Sequence, residues 1–236
     1  MKVDIWSDVR CPFCYIGKRK FEMALAQFPE KDKVEVEWHS FELDPGFKTN
    51  TTLNAYDYLA ERKGQSRAWS VQMHDNITQT AKEVGLTYHF DEAVLANSFN
   101  AHRLIQFAKT RGQGDAAKEA VLEAYFTDGK NIDDVATLVE IGASLGLGKT
   151  ATSSMLASDA FTKEVRDDEA RAAEIGINGV PFFVLDNKYA VSGAQAPEVF
   201  LGALQQAWAE HADATPHVIA GEDSAAVCDV NNKEQC

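Results

Sequence analysis

Two cysteines separated by two residues, C-P-F-C at positions 11 to 14, follow directly on the stretch K-V-D-I-W-S-D-V-R. Val3, Ile5 and Trp6 fit a short buried strand. Pro12 suits the first position of a helix, where its missing N–H costs nothing. The helix continues through I-G-K-R-K-F-E-M-A-L-A-Q-F, with Phe21, Leu25 and Phe28 on one face, and Pro29 ends it. V-E-V-E-W-H-S-F-E-L then alternates at period two and predicts a second strand through Leu43, before D-P-G turns the chain. The opening is a β-α-β unit, with the cysteine pair on its first strand-to-helix turn.

From Leu53 to Ile175 the apolar period is helical. Trp69, Met73, Ile77 and Val84 share a face. Asp91 is expected to cap a helix carrying Val94, Leu95, Phe99 and Ile105. Asp115 and Asp133 or Asp134 are expected to cap two more. Period two returns in F-F-V-L and Y-A-V-S, which flank D-N-K as a hairpin. Pro197 opens a last helix, with Val199, Leu204 and Trp208 expected inward. Beyond Glu210 large apolar residues are few, and a loosely ordered tail is predicted. The expected class is α/β: β-α-β, then β-β-α, in one mixed sheet interrupted by a large all-helical insertion. The boundaries fall at residues 1–50 with 176–210 for the sheet domain, 51–175 for the insertion and 211–236 for the tail.

A chain of 236 residues that is 45% apolar can bury a core without disulfide staples. Its net charge of -13 argues against a nucleic-acid or anionic-membrane partner. The five-residue apolar start is too short for a secretory leader, and no stretch approaches the ~20 apolar residues of a membrane span. A cytoplasmic address is therefore expected, where a cysteine pair is more often catalytic or metal-binding than structural. Zinc would need two further ligands. The remaining thiols, Cys228 and Cys236, are spaced more widely than a zinc knuckle uses, so no metal is expected. A static disulfide inside one turn would constrain almost no loop. Position favours a third reading. Cys11 at a helix N-terminus, with Arg10, Lys18 and Arg19 nearby, should ionise below the ordinary thiol value of ~8.5, although Asp8 opposes this. Cys14, one turn later, suits a resolving thiol for disulfide exchange.

The segment I-W-S-D-V-R-C-P-F-C-Y-I-G-K-R-K-F-E resembles the active-site opening of DsbA-like thioredoxin-fold oxidoreductases of the FrnE type. The likeness continues in E-W-H-S-F-E-L-D-P, N-S-F-N-A-H-R-L-I and G-V-P-F-F-V-L-D-N-K-Y-A-V-S-G-A-Q, across residues 1 to 208. It implies a thioredoxin fold with a helical insertion. It also implies a cis Val180–Pro181 bond facing Cys11, with Val180, Pro181, Pro12 and Phe13 meeting the substrate. Phe13 offers no hydrogen-bond donor to a thiolate, so a redox potential between about −270 mV (thioredoxin) and −120 mV (DsbA) is expected.

The implied function is exchange with protein thiols and disulfides through a redox-active disulfide, with no bound cofactor and with glutathione as a candidate electron donor or co-substrate. The alternative from the same resemblance is a glutathione-dependent isomerase or transferase of the 2-hydroxychromene-2-carboxylate isomerase or kappa type. In that group a serine commonly stands at the active turn, so the two cysteines here favour dithiol exchange. A redox-inert chaperone-like module is the third alternative. Cys228 and Cys236 are candidates for a second redox pair, on a flexible reach on the order of 23 Å. Asn100 and His102 are candidates for a groove wall above Cys11, against a plain polar seam.

Overall fold

The computed structural model describes residues 1–213. Four strands, β1 (Lys2–Ser7), β2 (Glu35–Ser40), β3 (Phe182–Leu185) and β4 (Tyr189–Ser192), form one sheet in the order β2-β1-β3-β4. β1 runs parallel to β2 and antiparallel to β3, which pairs antiparallel with β4. Helix α1 (Pro12–Gln27) links β1 to β2, and α9 (Pro197–Asp213) follows β4. Between β2 and β3 come α2 (Ala55–Lys63), α3 (Arg67–Glu83), α4 (Phe99–Lys109), α5 (Gly114–Phe126), α6 (Val135–Ser144), α7 (Lys149–Leu156) and α8 (Thr162–Glu174). This is the mixed sheet with a helical insertion that the alternation of periods predicts. Among the described residues no helix is long and apolar enough to cross a membrane.

Each sheet face has its own partner. Val3 and Ile5 of β1 and Phe183 of β3 pack with Phe21 of α1 and with Phe200 and Leu204 of α9. Trp6 points to the other face, against Ala172 of α8 and Ile177. Burying each large side chain contributes about 2–3 kcal/mol. Val199, expected inward, is exposed, and Phe200 takes the inward place. The hairpin turn forms at Asp186 and Asn187, both at positive φ, where short polar side chains are tolerated.

Three boundaries differ from the pattern, each because a side chain captures the backbone. β2 stops at Ser40 instead of Leu43: the Ser40 N–H donates to Asp168 at 2.8 Å and the Leu43 N–H to Asp8 at 2.9 Å, so the ladder cannot continue. Asp91 caps nothing. The segment to Asn97 is held extended by the Asn50–Leu95 bridge and by the Asn97 amide on Phe47 O, and α4 starts only after Ser98. Asp115 lies inside the first turn of α5, where its carboxylate accepts from Trp38 Nε1 at 2.8 Å. Asp134 does cap α6, accepting from Thr137 N–H.

His39 of β2 joins sheet to insertion. Its ring lies 2.6 Å from Asp168 Oδ1 on one side and 2.6 Å from Asp4 Oδ1 on the other, stacked on Trp6. Burial works against the imidazolium, but Asp168 and Asp4 outweigh it and lift the pKa above the usual 6.5. A group whose pKa folding raises stabilises fully below its unfolded value and loses that contribution as pH climbs through the folded one. Asp168→Asn is therefore expected to cost about 3 kcal/mol near pH 6 in thermal denaturation, and to flatten the fall in stability above pH 6.5.

Candidate active site

β1 delivers the chain to the site. After Ser7 it turns tightly, with the Cys11 N–H donating to Asp8 O at 3.3 Å. Cys11 is the N-cap of α1 with extended backbone, Pro12 opens the first turn, and the Cys14 N–H donates to Cys11 O at 3.0 Å. Both cysteines are free thiols. Cys11 is 4% exposed and Cys14 wholly buried, while Phe13 between them is 43% exposed.

The loop before β3 closes one side. The Val180–Pro181 bond is cis, and Cys11 Sγ lies 3.5 Å from Val180 O. Gly17 of α1 makes this approach possible, because a Cβ there would stand 2.9 Å from Pro181 Cγ and 3.5 Å from Ala194 Cβ. Gly17→Ala is expected to destabilise by about 1–3 kcal/mol, and to slow disulfide exchange by moving Pro181 away from Cys11. Paired denaturation and stopped-flow measurements check it; an unshifted denaturation midpoint would contradict the close seating.

Beneath the cysteines lies a buried polar layer. The Asp8 carboxylate accepts from Leu43 N–H at 2.9 Å and Arg10 N–H at 3.1 Å, with His102 Nε2 at 3.4 Å. Burial disfavours its charge, yet His102 and the two amides hold its pKa below the ordinary carboxylate value. Lys118 of α5 is 1% exposed, and its ammonium donates to Ser7 O at 3.0 Å. Burial pushes its pKa down to about 8, against the opposing pull of negative charge at Cys14, Asp8 and Cys11.

These neighbours set the thiol chemistry, and they reverse the expectation for Cys11. The hydrogen bond with Cys14, then burial and the charge of Asp8, push the Cys11 thiol well above its ordinary value. A carbonyl oxygen faces its sulfur, which suits a thiol and repels a thiolate. Cys14 moves the other way: burial opposes ionisation, but the hydrogen bond from Cys11 and the charge of Lys118 outweigh it. The two thiols titrate as one coupled pair, and loss of the first proton is favoured at Cys14, beside Lys118.

The cations that sequence proximity suggests are engaged elsewhere. The Arg10 guanidinium stacks 4.0 Å over Phe47. Lys18 pairs with Glu22, Asp115 and Glu119, and Arg19 with Glu22 and Glu119. Of the two readings of Asn100 and His102, groove wall or polar seam, the contacts fit the seam. His102 is buried behind Asp8, and Asn100 bonds to Asp133 and Arg103 inside the insertion, so both belong to a polar seam. Cys228 and Cys236 lie outside the described residues. Lys118 escaped sequence reading, although a signal exists: it stands at i−4 and i−7 from the buried Leu122 and Tyr125, a lysine within an apolar stripe.

A CxxC dithiol on the first strand-to-helix turn of such a sheet, opposite a proline loop, defines a thioredoxin-fold site. The chain matches the DSBA-like thioredoxin domain over residues 2–205, and it belongs to that family of oxidoreductases. Among solved structures it is 41% identical to a probable DsbA oxidoreductase from Streptomyces coelicolor, covering 97% of this chain and 100% of that one, with a TM-score of 0.85. It shares the fold with a 2-hydroxychromene-2-carboxylate isomerase (16% identity, 92% and 100% coverage, TM-score 0.67). It also shares the fold with the cytosolic disulfide reductase DsbM of Pseudomonas aeruginosa, solved with glutathione (19% identity, 90% and 98% coverage, TM-score 0.60). One fold thus carries both disulfide exchange and isomerase chemistry among these neighbours.

Proposed function

We propose that the chain is a thiol–disulfide oxidoreductase acting on protein disulfides, with Cys11 as nucleophile and Cys14 as resolving thiol. The observation that carries this is the inequality of the two sulfurs. Cys11 lines an open cavity and faces Val180, whereas Cys14 is wholly buried with the charge of the buried Lys118 ammonium acting on it.

As Cys11 attacks one sulfur of a substrate disulfide, its proton passes to the Cys14 thiolate. A Cys11–substrate disulfide forms and the first substrate thiolate leaves. The Lys118 ammonium lets Cys14 ionise again and attack Cys11 Sγ. The Cys11–Cys14 bond forms and the second thiolate leaves. The protein has lost two electrons, the substrate disulfide has gained them, and solvent supplies the remaining proton. The exposed Phe13 and half-buried Pro12 offer an apolar contact, and the Val180–Pro181 backbone offers pairing to an extended peptide.

In this reading residues 1–50 and 176–210 form the domain that bears the thiols, and residues 51–175 supply Lys118 and the cover. Glutathione is the proposed reductant that resets the dithiol, a reading supported by the DsbM neighbour solved with it. Cys228 and Cys236 are proposed as a second dithiol. The test is reduction of insulin disulfides with glutathione as donor. Catalysis well above the uncatalysed rate supports the proposal, and none at any donor concentration overturns it.

A further inference from the structure

A cavity of about 380 Å³ opens beside Cys11. Val180 and Pro181 take no part in its lining, so it shares only Cys11, Pro12 and Phe13 with the surface proposed for an extended peptide. Pro12 and Phe13 stand with Cys11 at one end. The walls are apolar and largely aromatic: Ala55 and Ile77 from α2 and α3, with Phe90, Leu95, Tyr125 and Phe126. Its volume falls in the range of small-molecule sites and exceeds what one aromatic side chain fills.

The charges of the lining are uneven. Asp8 is taken by two backbone amides and His102, and Asp44 by Arg62 at 2.5 Å and the Tyr58 hydroxyl at 3.4 Å. Burial holds the His74 pKa below the usual histidine value, and its Nδ1–H donates to Ser70 O at 2.8 Å. Arg10 has no carboxylate partner among the described residues. Its guanidinium lies over Phe47, and its Nε is buried without a hydrogen-bond partner. Arg10, Arg62 and Lys63 against Asp8 and Asp44 leave one positive charge in excess, in a chain whose net charge is -13. An apolar ring beside a guanidinium with no carboxylate partner suits a small aromatic or alicyclic group bearing a carboxylate.

We propose that this cavity is an acceptor site for low-molecular-weight disulfides whose halves carry an apolar ring and a carboxylate, seated so that one sulfur meets Cys11. The inference rests on Cys11 being the nucleophile. Cys11 forms a disulfide with the seated half while the other half leaves as a thiolate. Cys14 then displaces the seated half, the Cys11–Cys14 bond closes, and the small disulfide ends as two thiols.

The test is a single-turnover reaction of the reduced full-length protein with three probes: dithiobis(nitrobenzoic acid), which is aromatic and anionic; dithiodipyridine, aromatic and neutral; and cystamine, aliphatic and cationic. Each rate is divided by that of free glutathione with the same probe. The carboxylated aromatic probe is expected to lead cystamine by about tenfold or more, the scale on which an apolar pocket discriminates. Ala55→Leu, which fills the cavity, should erase the advantage of both aromatic probes and leave the cystamine and insulin rates unchanged. Arg10→Met should erase only the preference for the carboxylated ring. Should Ala55→Leu fail to fold, Ala93→Leu fills the same space from another wall.

Unchanged probe ratios in the filled variant would overturn the proposal. Equal slowing of insulin would overturn it too, by assigning the cavity to polypeptide side chains. Failure of the wild type with all three probes, cystamine included, would instead remove Cys11 as nucleophile, and this inference with it.

Discussion

Cys11→Ser is expected to lower insulin-disulfide turnover by at least about a thousandfold, the scale on which removal of a covalent nucleophile is felt. A serine hydroxyl does not attack a disulfide sulfur at neutral pH, and Cys14 cannot substitute because it is wholly buried. The fold should be untouched, since serine occupies less space than cysteine and its hydroxyl can donate to Val180 O as the thiol does. Cys14→Ser behaves differently. The first attack still occurs, but the mixed disulfide has no internal thiol to resolve it, so turnover stalls while adduct accumulates. Full activity in Cys11→Ser with an unchanged melting temperature would mean that another group performs the chemistry.

Lys118→Met is expected to divide function from stability. Removing a buried positive charge beside Cys14 should raise that thiol's pKa by about one to two units. The rate at pH 7 would then fall about tenfold to a hundredfold, with recovery as pH rises and a pH–rate profile displaced to the alkaline side. A merely structural lysine would not move the profile. Stability should change in the opposite direction. Folding lowers the ammonium's pKa from 10.5 to about 8, so the unfolded chain holds this proton more tightly. The charge therefore costs the fold on the order of 3 kcal/mol below pH 8, a cost that fades as pH climbs to 10.5. In the oxidised protein, where Cys14 carries no charge, the methionine variant should melt at a higher temperature near pH 7. A lower melting temperature with an unmoved pH–rate profile would make Lys118 a packing residue only.

Much of the architecture is legible in the sequence because it follows from local periods. Val3, Ile5 and Trp6 fix a strand, the return to period two at Phe182 fixes the hairpin, and the helical stripes between them fix the insertion. The site was legible only as far as it is local. Cys11, Pro12 and Cys14 share one turn, so their placement follows from that turn alone. The charge balance does not, because it is set by groups far away in sequence. Arg10, adjacent to Cys11, points to Phe47, while Lys118, more than a hundred residues on, arrives through α5. Adjacency in the chain overstated three cations and missed the one that the fold brings in. His102 follows the same rule: its segment was recognisable, but its contact with Asp8 depends on how α4 packs under the turn.

The most direct test of the account is to find where a substrate disulfide attaches. Fully reduced Cys14→Ser protein is mixed with oxidised glutathione, quenched with acid, digested and mapped by mass spectrometry, beside Cys11→Ser treated identically. The account predicts a glutathione adduct on Cys11 in the first variant and a bare Cys14 in the second. An adduct on Cys14 in Cys11→Ser, forming as fast as that on Cys11, would contradict it.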